Sequence, residues 1–159
     1  MKKLLIFCAC ILLSNNTEHT NPKHQDAKLH SFIVSTYKTT NSQAHKVIYL
    51  ANKKAKESFP SKHDILAIMS IESTFKSSAV SKKKAKGLMQ VLYRKTYSEE
   101  DNVDAGVDLL VEYKRLLKSE KAAIIAYNVG IGNYKKGLRN KAYYEKFIRE
   151  KELLKSIET

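Results

Sequence analysis

The chain has 159 residues, 43% of them hydrophobic, with five glycines, two prolines and no tryptophan. That length and apolar content fit one domain with a real core and exclude a disordered chain, while the scarcity of glycine and proline favours helices over a turn-rich β architecture. The formal net charge of +13 is mostly lysine, with Arg94, Arg115, Arg139 and Arg149 the only arginines; ammonium groups lack the fork that fits phosphates and guanine edges, so nucleic acid is a poor partner.

In chain order, Met1-Lys2-Lys3 is a short basic stretch, Leu4 to Leu13 is uninterruptedly apolar, and Ser14-Asn15-Asn16-Thr17 is polar. A membrane-spanning helix needs about 20 apolar residues, so residues 1–16 are expected to be a secretory signal peptide and not a stable membrane span. That places the protein in the periplasm or cell envelope. Cys8 and Cys10 both fall in this segment, so the mature chain is expected to have neither disulfide nor thiol nucleophile; acylation at Cys10, after Ala9, is the alternative.

Residues 17–40 are expected to be a flexible lead-in, polar to about residue 26, with a first short element at Leu29–Tyr37 that is helix or strand. Residues 41–159 form the main domain. Ser42 to Glu57 predicts a helix with Ala44, Val47, Ile48, Ala51 and Ala55 on one stripe, stopped by Phe59-Pro60. Ser61 and Asp64 form a capping pair that opens a helix through Ile65, Ile68 and Met69 to about Phe75. A lysine-rich loop, Lys76 to Lys86, leads to Gly87-Leu88-Met89-Gln90.

Asp101-Asn102 reads as the cap of a long helix from Val103 to about Lys118, with Val103, Val107, Leu110 and Leu117 along one face. A small-residue helix, Glu120 to Tyr127, ends at the glycine-broken Asn128-Val129-Gly130-Ile131-Gly132. The last amphipathic helix covers about Lys141 to Ile157, using Tyr144, Phe147, Ile148 and Leu154. Neither a repeat nor a second domain is visible.

One residue breaks the pattern. On the helix opened by Ser61, the stripe Ile65, Ile68, Met69 reaches position 72, where a hydrophobe is expected and a glutamate stands. Burial disfavours the charged form of a carboxyl and raises its pKa. A carboxylic acid that keeps its proton near neutral pH suits general acid catalysis. A helix-edge glutamate that snorkels to water or pairs with a lysine fits the same spacing.

Further motifs bear on that choice. The segment Glu72-Ser73-Thr74-Phe75, then Ala79-Val80-Ser81 and Ala85-Lys86-Gly87-Leu88-Met89-Gln90, resembles the catalytic signature of the soluble-type lytic transglycosylases. Asn102-Val103-Asp104-Ala105-Gly106 is similar to that family's second block, and Ala126-Tyr127-Asn128-Val129-Gly130 to its third. The three stand in the family's order and span roughly Ile65 to Ile148. The chain departs from the family at Lys84, where glycine is usual, at Leu92-Tyr93, where proline is frequent, and in the short stretch between Gln90 and Asn102.

The resemblance implies a mainly α, lysozyme-like fold (goose-type lysozyme/SLT) with a substrate groove. It also implies that Glu72 is the single acid/base that cleaves a peptidoglycan glycan strand, leaving 1,6-anhydro ends. Ser81 would orient the acetamido group, and Met89 and Gln90 would line the groove. Tyr127 and Asn128 would stand near Glu72 and hold it or the sugar, and Tyr143 or Tyr144 would form a further wall for stacking sugars. Gly87, like Gly106, Gly130 and Gly132, lies in a matched block, where a turn, a helix contact or a close approach to sugar all suit glycine.

No cofactor is implied, and no metal: the five histidines all precede the motif region without ligand spacing. Partners beyond the wall polymer would be a secretion, conjugation or phage assembly. Two rival readings remain at this point, a goose-type lysozyme-like hydrolase using the same glutamate with water, and a non-catalytic wall-binding component of a secretion or conjugation apparatus.

Overall fold

The first helix begins earlier than its polar sequence foretells. Pro22 occupies its first position, where the missing N–H is no loss, and the helix runs to Tyr37. Leu29 and Ile33, one turn apart, are fully buried, so the first short element is helix, the first of its two expected forms, and it contributes to the core. The computed structural model describes residues 22–92 and 96–159; the expected signal peptide at residues 1–16 lies outside them.

Among the described residues the elements are α1 (Pro22–Tyr37), α2 (Asn41–Lys54), α3 (Lys62–Ser73), α4 (Glu99–Leu117), α5 (Glu120–Val129), α6 (Ile131–Lys135) and α7 (Lys141–Ser156). The only β pairing among them is two isolated bridges, Val80–Lys86 and Lys86–Val91. The fold is mainly α, as expected.

Local chemistry sets the helix starts. The Ser61 hydroxyl accepts from the Asp64 N–H (3.2 Å) while the Asp64 carboxylate accepts from the Ser61 N–H (2.8 Å), a reciprocal capping box. Asp64 is itself buried, and Lys151 of α7 meets its second oxygen at 2.8 Å. Helix α4 starts at Glu99, not at Val103: Ser98 is its N-cap and Asp101 closes the box. Asn102 therefore lies inside the helix, and it is buried.

Helix α3 forms the centre of the domain. It packs against α2 on one side and α7 on the other, and every residue from Asp64 to Ser70 is buried. The expected single stripe was thus too narrow. The helix ends in two left-handed residues, Thr74 (φ 50°) and Phe75 (φ 60°). This conformation costs about 1–2 kcal/mol per non-glycine residue; Phe75 offsets it by burying its whole ring, edge-on to Tyr37 at 4.9 Å between centroids.

Beyond α7 the chain end is tied back to α3. Glu158, 6% exposed, accepts from Lys62 and pairs with His63 at 2.7 Å, and Lys62 also reaches Asp26 of α1.

Candidate active site

Burial of α3 carries Glu72 to the end of the central helix, where it meets an open cleft of about 800 Å³. The cleft walls include Ser81, Lys83 and Gln90 from the segment after α3, Leu109 and Tyr113 from α4, and Tyr127 and Asn128 from α5. Glu72 is the only acidic side chain among the lining residues. Its carboxyl oxygen accepts a hydrogen bond of 2.6 Å from the Tyr143 hydroxyl.

Two opposed influences act on that carboxyl. Burial raises its pKa above the ordinary value of 4.5, and this is the larger effect; the Tyr143 hydrogen bond and the positive charge of Lys146 pull it down. Burial thus favours the protonated form more than in a free carboxyl, while a hydroxyl donor and a cation favour the anion. Tyr127 and Tyr143 are both pushed well above the usual phenol pKa, by burial first and by the Glu72 charge second. They stay protonated and serve as donors.

The segment from Lys86 to Gln90 runs behind the site and delivers Gln90 to the cleft wall, and three helices grip it. From α3, the Ser73 hydroxyl faces the Leu88 carbonyl at 2.8 Å. From α4, Asn102 accepts from the Met89 N–H (2.9 Å) and donates to the Lys86 carbonyl (2.8 Å). From α5, the Tyr127 hydroxyl donates to the Met89 carbonyl at 2.7 Å. Gln90, itself left-handed at φ 48°, donates through its amide to the carbonyls of Ala79 (3.0 Å) and Gly87 (2.9 Å).

Glycine is needed twice in this grip. Gly87 has φ +79°, and a Cβ there would stand 2.5 Å from the Asn102 side chain; a Cβ at Gly106 would stand 2.6 Å from the Met89 sulfur. Such separations are well inside van der Waals contact, so both positions must lack a side chain for the loop to lie on α4.

The structure brings Glu72, Ser81, Gln90, Tyr127 and Asn128 to one cleft. Ser81 is turned partly inward, its hydroxyl accepting from the Ala85 N–H at 3.0 Å. Asn128 is exposed and accepts from the Asn140 amide at 2.8 Å.

Three expected positions correct themselves. Met89 does not line the groove: its side chain is fully buried beneath Gly106, and its backbone supplies the contacts. Tyr143 is not a stacking wall: it is 8% exposed, and its hydroxyl is the group that holds Glu72, the part expected of Tyr127. Gly87 faces Asn102 and a separate cavity of about 330 Å³, away from the cleft.

Sequence reasoning missed Lys83, Leu109 and Tyr113 on the cleft wall. Leu109 and Tyr113 are four apart on α4, and that spacing would have placed them together. It also missed Asn102 as the clamp, because an Asp-Asn pair before an apolar run resembles a cap; Ser98 and Asp101, with the capping-box spacing, carried the better signal. Asp101 caps α4 and Asp104 pairs with Lys54 at 2.9 Å, so neither faces the cleft. Among the described residues no cluster of three or more His, Cys, Asp or Glu side chains is gathered that would hold a metal.

A family model described as the transglycosylase SLT domain matches residues 49–149, more than half of the chain. No curated protein and no solved structure matches it.

Proposed function

Because the chain belongs to the transglycosylase SLT-domain family, we propose that it cleaves the glycan strand of peptidoglycan as a lytic transglycosylase, with Glu72 as its single acid/base. The observation that carries this is the lone carboxyl on the cleft wall, raised in pKa by burial and fixed by Tyr143. Two-carboxylate glycosidases place their pair about 5–5.5 Å apart when retaining and about 6.5–9.5 Å apart when inverting. Among the described residues no second acid lines the cleft, which favours the substrate itself as the internal nucleophile.

Protonated Glu72 donates to the oxygen between N-acetylmuramic acid and N-acetylglucosamine, and that C1–O bond breaks. The acetamido group of the muramic residue supports the positive charge that develops at C1. Ionised Glu72, steadied by the Tyr143 hydroxyl and the Lys146 charge, then takes the proton of the 6-hydroxyl as O6 bonds to C1. Glu72 regains its proton, and the product carries a 1,6-anhydro end. Water takes no part.

The basic-then-apolar pattern of residues 1–16, read as a leader, supports a periplasmic or cell-envelope location, where a small enzyme of this kind would open the wall locally for a secretion, conjugation or phage assembly. The test is mass spectrometry of fragments released from purified sacculi. Anhydro ends are expected, and Glu72→Gln is expected to release none while keeping the fold. Reducing ends would instead identify a goose-type hydrolase, and full activity in the variant would end the proposal.

A further inference from the structure

The chemistry at Glu72 leaves one charge on the cleft wall unused. After α3 the chain makes a tight hairpin from Val80 to Lys86, closed by hydrogen bonds from the Ser81 N–H to the Ala85 carbonyl (2.9 Å) and from the Lys84 N–H to the Ser81 carbonyl (2.9 Å). Its tip is Lys82-Lys83-Lys84, all exposed. Alternate residues Ser81, Lys83 and Ala85 line the cleft, whereas Lys82 and Lys84 do not.

Several lysines elsewhere in the fold have carboxylate partners, such as Lys46 with Glu99, Lys53 and Lys54 with Glu100, and Lys114 with Glu120. None of the three tip lysines has one among the described residues. Nor does Lys83 serve Glu72, since Lys146 is the cation whose field acts on that carboxyl. An ammonium with no carboxylate partner among the described residues therefore stands on the wall of the cleft, where the only other charged side chain among the described lining residues is Glu72.

In a stem-bearing strand the lactyl carboxyl of each muramic residue is tied up in an amide bond, so the strand's carboxylates sit on the peptide stems. We propose that Lys83 reads a stem carboxylate, so that the protein prefers glycan whose stems carry free carboxylates over glycan whose stems are neutral. This rests on the cleavage reading above and adds to it which strands are taken. Across a solvated gap of about 4 Å such a pair is worth roughly five-fold in affinity.

The test measures kcat/KM on soluble glycan oligomers with free stem carboxylates, and on the same oligomers after those carboxylates have been converted to neutral amides. The wild type is expected to favour the carboxylate-bearing oligomers at low salt, with the preference fading as salt rises from about 0.01 M to 1 M. Lys83→Gln is expected to lower the ratio of the two values about five-fold. Lys82→Gln, the same charge loss one residue away but off the cleft wall, is expected to leave it in place.

An equal fall in both variants would mean a diffuse field and would overturn the proposal, as would an unchanged ratio in Lys83→Gln. A wild type that cuts both oligomers equally well refutes the role of Lys83 and leaves the cleavage reading standing. A wild type that cuts neither overturns both.

Discussion

Replacing Asn102 by alanine tests whether the segment behind the site is held from α4. Asn102 is 2% exposed, accepts from the Met89 N–H and donates to the Lys86 carbonyl. In Asn102→Ala the Met89 N–H loses its only partner among the described residues, which costs about 1–3 kcal/mol for a buried donor. The Lys86 carbonyl keeps the Val91 N–H at 3.1 Å, so the second lost bond costs only about 0.5–1.5 kcal/mol. The expected loss is about 2–4 kcal/mol, a fall in Tm on the order of 10 °C for a domain of this size. Urea unfolding followed by far-UV circular dichroism gives the first number, and thermal melting the second. Wall cleavage measured well below the melting point should fall as well, because the loosened segment carries Gln90 and the carbonyl that Tyr127 grips. A loss below about 0.5 kcal/mol, the level of an ordinary surface substitution, would refute the clamp.

Tyr143→Phe removes a hydrogen bond that lowers the Glu72 pKa; the alkaline limb of the pH–rate profile should move to higher pH while the maximal rate falls, and an unmoved limb would count against the contact. Glu72 also sets a stability trend: above 4.5 the unfolded chain gives up this proton while the folded chain keeps it, so wild-type stability falls with rising pH until the raised folded pKa is passed. Glu72→Gln lacks that loss, so its Tm should exceed the wild type's at neutral pH, with the advantage vanishing below pH 4.5. In Gly106→Ala a helix gain of about 1 kcal/mol opposes overpacking of about 1–3 kcal/mol against Met89; calorimetry should find a net loss, and a stabilised variant would contradict the packing.

Much of this arrangement is legible in the residues. Ser61 and Asp64 announce the start of α3 because capping is local chemistry, and Glu72 stands out because a single charge interrupts an apolar periodicity. What is not legible depends on contacts across the chain. Met89 reads equally well as groove or core until Gly106 is seen to lie over it. Tyr127 and Tyr143 could exchange roles on spacing alone, and only the packing of α7 on α3 decides which hydroxyl reaches Glu72. The start of α1 was hidden because its polar first turn lacks periodicity, and its burial begins only at Leu29.

The acid and the hairpin that faces it belong to parts of the molecule with unequal resistance to opening. Backbone amides in the buried turns of α3 should exchange their hydrogens only when the whole domain unfolds, whereas those of the 80–86 hairpin, held by a few bonds at the surface, should exchange through small local excursions. A bulky or branched strand can therefore push aside one bank of the channel without disturbing the other. Adaptability of the hairpin and constancy of the Glu72 carboxyl reside in different foldons.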